Sequence, residues 1–325
     1  MNRGWLALAA LGVLGGCSDS GTAIGGVAGF GGDAGAGGAA GGGAASGGVT
    51  SGGSAGTAAG GAGGTAGMGG LGGGFGGVGA ASGAGGVGGE VPWMCDETSM
   101  PLPNQGLMEP AGLDGCPDGM ARIDQQVCMD RWEAFLVEVS GASEQSWSPY
   151  FNPSGVTVAA RSAPGAVPQG YISGAQAQQA CMEAGKRLCT RDEWELGCRG
   201  SEARVYPYGF MRVAGACNDY RAVHPVVELF GTTDSWIWNE LDNPCISQQP
   251  ETLALTGSFD QCQTPEGIFD LVGNLHEWIS DSAGTFKGGF YVDATTNGAG
   301  CGYTTTAHAF SYGDYSTGFR CCSDD

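Results

Sequence analysis

The chain has 325 residues and is strongly acidic, with 33 Asp and Glu against 13 Lys and Arg and a formal net charge of −20. A field of that sign repels phosphate backbones and anionic lipid headgroups, which argues against a nucleic-acid partner. The length admits one or two domains, and the composition is far from uniform along it.

Arg3 is followed by an apolar run, Trp5–Leu14, too short to span a bilayer, that ends in Leu14-Gly15-Gly16-Cys17. A charged start, an apolar core and small residues before a cut are the marks of a secretory signal. A cut placed before a cysteine resembles the lipobox of bacterial lipoproteins. That resemblance implies removal of residues 1–16 and acylation of Cys17 on its sulfur and its new amine. More than one acyl chain gives stable anchoring where a single chain does not. The expected location is therefore outside the cytoplasm, lipid-anchored to the cell envelope at the outer membrane or cell surface. An ordinary signal peptide cut elsewhere is the alternative.

Residues 17–90 form the next block. Between Gly21 and Glu90, 35 of 70 residues are Gly, most others are Ala, Ser or Thr, and only Asp33 and Glu90 are charged. Such a segment has too little apolar surface to offset the entropy of ordering it. It reads as a disordered tether with an r.m.s. reach of roughly 45 Å. A collagen-like reading fails, because the block has neither a three-residue period nor Pro.

The remaining block, 91–325, holds seven of the eight Trp and is long enough for one sizeable core. Its acidic residues outnumber its basic ones by 30 to 12, which leaves cations and basic partners open. Apart from Cys17 there are 12 cysteines, an even number in a chain read as exported, where disulfides are the default. Zinc is the competing use of thiols. Against it, only Cys321 and Cys322 are close in sequence and no Cys-x-x-Cys occurs.

Within this block regular structure is expected to be sparse, since Gly, Pro, Asn and Asp recur as punctuation. Gly119–Val139 alternates apolar and polar residues and predicts two short strands around Cys128. Ser173-Gly-Ala-Gln176 has capping-box form, with Ala177, Ala180, Cys181 and Ala184 following on one face and Gly185 placed for the C-terminal cap. A second box, Thr190-Arg-Asp-Glu193, opens a short helix carrying Trp194 and Cys198 on one side. Val205–Asp260 shows no sustained period and reads as loops. Phe269–Trp278, "FDLVGNLHEW", sets Asp270 and Glu277 at either end of a Val-Gly-Asn turn. That pattern suits a metal site, an acid/base pair or a tight turn whose carboxylates cap backbone N–H groups; no nucleophile lies nearby in sequence to serve acid/base work. Lys287–Val292 and Gly318–Cys322 read as closing strands.

Five blocks in this order, "ACMEAGKRLCTRDEWELGCRG" (Ala180–Gly200), "YPYG" (Tyr206–Gly209), "GIFDLVGNLHEW" (Gly267–Trp278), "KGGFY" (Lys287–Tyr291) and "GFRCC" (Gly318–Cys322), resemble the formylglycine-generating enzyme family, or sulfatase-modifying factor domains. The resemblance covers about Cys116–Cys322. It implies an α+β, loop-rich domain of formylglycine-generating-enzyme and C-type-lectin type over residues 91–325. It also implies a structural calcium ion held by the side chains of Asp270 and Glu277 and the carbonyls of Gly273 and Leu275. A turn that aims carbonyls inward between two carboxylates suits a hard cation. A second calcium site is implied at Asn218-Asp219.

The same resemblance implies the disulfides Cys181–Cys321 and Cys198–Cys301. Cys116 and Cys128 flank the first hairpin as a local pair, and Cys217–Cys262, Cys189–Cys322 and Cys95–Cys245 are the weaker assignments left over.

The family's oxidases activate oxygen on copper(I) held by two cysteines, the first three residues after a Gly-Gly-Ser and the second five residues later. Soft thiolates are what copper(I) prefers. Here the block is "GGFYVDATTNGAGC": Phe290 stands at the serine, Asp293 at the first cysteine, and Cys301 where a structural cysteine belongs. The copper site is therefore expected to be absent, and with it any assigned catalytic residue. A branch that joins sulfur to a histidine derivative needs clustered imidazoles, whereas His224, His276 and His308 lie in three separate stretches of sequence. Two functions follow as expectations. One is a binding or scaffolding module for a peptide, protein or glycan, with the Thr295–Tyr315 loop lining its groove. The other is a divergent oxidoreductase using a metal held by Asp293 and histidine.

Overall fold

The computed structural model describes residues 94–324; the expected signal, Cys17 and the whole of the tether region lie outside them. The alternation after Gly119 becomes a hairpin. In it β1 (Met120–Asp124) and β2 (Val127–Asp130) pair antiparallel, with Met120 opposite Asp130. A second group of strands follows: β3 (Phe135–Ser140), β4 (Ser143–Ser146) and β5 (Val158–Arg161), with β3 at the centre.

Both capping boxes close as their sequences predict. Ser173 Oγ accepts from Gln176 N at 3.3 Å and Gln176 Oε1 accepts from Ser173 N at 3.0 Å, opening α1 (Gly174–Glu183). Only small side chains, Ala177, Ala180 and Cys181, face inward, so α1 seats closely against β5. Ala184 is its C-terminal cap and Gly185 follows in the left-handed region at φ +72°. The short strand β6 (Arg187–Leu188) then leads to α2 (Arg191–Arg199), whose box joins Glu193 N to Thr190 Oγ1 at 3.3 Å and Thr190 N to Glu193 Oε2 at 2.8 Å. Trp194, Gly197 and Cys198 form its buried side.

The segment read as loops contains a helix, α3 (Pro225–Phe230), and a 3-10 turn, Ser235–Asn239. Six residues are too few to display a period. The N-cap is moreover an imidazole, His224 Nδ1 accepting from Val226 N at 3.4 Å, rather than one of the short polar side chains that signal a helix start.

The closing strands are also shorter than expected. β7 (His276–Trp278) pairs with β8 (Phe286–Lys287), which stops because Gly288 and Gly289 turn into the left-handed region at φ +84° and +74°. Next comes β9 (Thr304–Thr305). The final run divides at Arg320 into β10 (Thr317–Phe319) and β11 (Cys321–Asp324), which belong to different sheets. One four-stranded sheet runs β1-β2-β11-β6 and the other β10-β7-β8-β9. Arg320 is thus the joint between two sheets.

Among the described residues six disulfides link Cys95–Cys245, Cys116–Cys128, Cys181–Cys321, Cys189–Cys322, Cys198–Cys301 and Cys217–Cys262. The adjacent Cys321 and Cys322 point to opposite faces of β11, as successive strand residues must. One therefore reaches α1 and the other the residue after β6. Three of the bridges sit in the main core with Trp194, Ile268, Leu271 and Ile279.

Candidate functional site

The turn Phe269–Trp278 lies at the centre of a buried polar network. Asp270 and Asn274 both hold left-handed backbone, at φ +60° and +57°, and Gly273 does so at φ +81°. A Cβ at Gly273 would stand 2.2 Å from the Asn218 carbonyl oxygen, so only glycine lets the two loops touch. Asn274 N donates to that same carbonyl at 2.8 Å.

Each side chain expected as a calcium ligand has a protein partner. Glu277 accepts from Arg320 Nε at 2.7 Å, Arg320 Nη2 at 2.6 Å and Trp194 Nε1 at 2.6 Å. Asp270 accepts from Gly257 N at 2.7 Å. Asn218 Nδ2 donates to Thr252 O and Asn274 Oδ1, while Asp219 takes a bidentate pair from Arg212 at 2.9 and 2.8 Å. A third buried carboxylate, Glu133, accepts from Leu275 N at 3.0 Å and from Asn274 Nδ2. Burial pushes the Asp270 carboxyl up to about 7, against the opposing pull of the Gly257 N–H and Arg320. Burial raises Glu133 as well, reinforced by the charges of Asp270 and Glu277. Sequence reasoning missed Glu133 and Arg320, which lie 144 and 43 residues from Glu277.

The position corresponding to the family's copper centre is aromatic. Phe290 and Asp293 close a tight turn, each backbone N–H donating to the other's carbonyl at 3.0 Å. The Asp293 carboxylate is spent on its own loop, accepting from Thr295 N and Oγ1 and from Thr296 N. Burial alone would raise its pKa, but those hydrogen bonds outweigh it and hold the carboxyl below the usual range. Cys301, the nearest cysteine downstream, is bonded to Cys198.

The three histidines, separate in sequence, converge here. His276 stands 4.7 Å, centroid to centroid, from both Phe286 and Phe290 and stacks on Tyr303 at 5.4 Å. His308 stacks on Phe286, and His224 meets Phe290 edge-on. Sequence distance hid this, because the shared neighbours are Phe286, on β8, and Phe290, in the turn just after it. Burial depresses His276 to about 3 and His224 to about 4, so both rings are neutral at physiological pH. His276 Nδ1 is buried without a hydrogen-bond partner. Among the described residues no three of His, Cys, Asp and Glu gather closely enough to hold a metal ion.

A profile for the sulfatase-modifying factor enzyme 1-like domain matches residues 122–324. The chain belongs to this family. The sulfatase-modifying factor domain thus accounts for both sheets that carry the turn and the aromatic centre. No curated protein matches the sequence significantly. Among solved structures, PvdO from Pseudomonas aeruginosa is 15% identical with a TM-score of 0.39, over 61% of this chain and 80% of its own. CarF is 18% identical with a TM-score of 0.30, over 43% and 47%. The Major Tropism Determinant I1 variant is 14% identical with a TM-score of 0.37, over 66% and 54%. The six disulfides fit an exported protein. Among the described residues no helix is long and apolar enough to cross a membrane.

Proposed function

We propose that this sulfatase-modifying factor domain does not make formylglycine and acts as a binding module, held at the cell envelope by an acylated Cys17 and the Gly/Ala tether. One observation carries the first half: all twelve cysteines from Cys95 to Cys322 are in disulfides, so no thiolate is left to bind copper(I). Phe290, at the serine position, offers no hydroxyl, and Asp293 is a hard oxygen donor already held by its loop. A peptide containing the sulfatase cysteine motif should therefore emerge unchanged, with or without added copper. Mass spectrometry reads the outcome, and loss of the cysteine sulfur at a turnover above background would overturn the reading.

The binding half is supported by an aromatic path that leaves the Phe290 centre. His224 meets both Phe290 and Trp238 edge-on, at 6.4 and 4.9 Å between ring centroids. Trp238 is 44% exposed; Trp236, two residues before it in the chain, is 48% exposed, and Tyr220, paired with Asp293, is 70% exposed. Such rings give a large contact area at low entropic cost, which suits an extended peptide, a protein segment or a glycan. A broad open cleft of about 1020 Å³ lies elsewhere, against Arg204, Tyr208 and Phe210, and contains none of the expected site residues.

The anchor, a separate part of the proposal, rests on the Leu14-Gly15-Gly16-Cys17 pattern. Cys17→Ser should abolish acylation and release the domain into the soluble fraction. Unchanged membrane partitioning of that variant would remove the anchor from the proposal.

A further inference from the structure

We infer that the cation serving the Phe269–Trp278 turn is the chain's own guanidinium, Arg320, and that this turn holds no calcium ion. Calcium takes six to eight oxygens at about 2.3–2.6 Å, and in a turn of this kind the carboxylates must face the ion. Both oxygens of Glu277 instead face Arg320, at 2.7 and 2.6 Å, with the Trp194 indole as a third donor. Three donors on one carboxylate leave little capacity for an ion, and a positive group in direct contact repels a second cation.

The geometry of Arg320 is that of a ligand-holding centre seen from the other side. Beyond Glu277 it donates through Nη2 to the Phe269 carbonyl at 2.8 Å and through Nη1 to the Asp130 carbonyl at 3.0 Å. One planar group thus binds β7, β2 and the first residue of the turn together, a role a metal ion would fill by collecting oxygens from the same segments. It is completely buried, and so is Glu277 to within 1%. Neighbouring backbone fixes its placement, since Cys321 N donates to Asp130 Oδ2 at 2.9 Å. The other expected side chains have protein partners too: Asp219 with Arg212, Asn218 with Thr252 and Asn274, and Asp270 with Gly257 N. A fork of five fixed donors suits this task better than an ammonium, so lysine is not an equivalent.

Thermal unfolding of the protein, with calcium and with a chelator, tests the assignment. The native chain should melt at the same temperature in both, or show a calcium effect that Glu277→Gln leaves intact. Arg320→Met should lower the melting temperature by roughly 10 °C, because removing one partner leaves a buried carboxylate without its counter-charge. Arg320→Met combined with Glu277→Gln should recover part of that loss, which a purely steric role for Arg320 would not allow. Should the Arg320 variants fail to fold, calorimetric titration of native protein with calcium, beside Glu277→Gln, still decides. No calcium-dependent stabilisation, or stabilisation that Glu277→Gln leaves intact because its site lies elsewhere, upholds the inference. A melting temperature that falls on chelation in native protein but not in Glu277→Gln overturns it.

Discussion

Reduction of the six disulfides is expected to unfold the domain in plain buffer. Four of them close long loops, with partners separated by 150, 140, 133 and 103 residues. In the chain-entropy model a loop of about 100 residues is worth about 4.7 kcal/mol, against a total domain stability of about 5–15 kcal/mol. The loops overlap, so the terms do not add in full, yet two of them already approach the whole margin. Little else is available to compensate, since five of the strands have only two or three residues. Far-UV and near-UV circular dichroism, with and without reductant, reads the result. Native near-UV signal surviving full reduction would refute the expectation. The bridges should also rank: Cys116–Cys128 spans only 12 residues, and removing it as a pair of alanines should cost less than removing Cys181–Cys321.

Asn274→Ala is expected to cost about 4 kcal/mol, large for one buried turn residue. Its amide makes four hydrogen bonds: Oδ1 accepts from Asn218 Nδ2 at 3.0 Å and Ala254 N at 2.9 Å, while Nδ2 donates to Glu133 Oε2 and the Ala254 carbonyl. Truncation strands a buried carboxylate oxygen and a buried amide, each costing about 1–3 kcal/mol when left unpaired. Alanine must also accept φ +57°, a conformation that asparagine tolerates and a plain Cβ disfavours by about 1–2 kcal/mol. Asn274→Gly separates the two effects, because glycine removes the amide but relieves the backbone. It should therefore be less damaging than alanine by about 1 kcal/mol. Urea unfolding midpoints measure both, and a loss under about 1 kcal/mol for alanine would mean that the network is not holding the turn together.

What the sequence by itself determined is what nearest neighbours in the chain determine. Ser173 with Gln176 and Thr190 with Glu193 close their capping boxes within four residues, so both helix starts were legible. The family, the thiol count and the substitutions at Phe290 and Asp293 were legible too, because each is a matter of residue identity and order. Tertiary structure decided everything that depends on pairing across the chain. It supplied Arg320 and Glu133 as partners for the Glu277 turn, and no local pattern marks a buried arginine 43 residues downstream as a counter-charge. It gathered His224, His276 and His308 around two shared phenylalanines, although their separation in sequence argued for three unrelated sites. It also ended the strand after Lys287, where two successive glycines adopt positive φ that their neighbours' packing selects. The physical reason is common to all three. Short-range hydrogen bonds are fixed by the identity of a few adjacent residues, whereas buried charges and stacked rings take their partners from whichever segment the fold brings within reach.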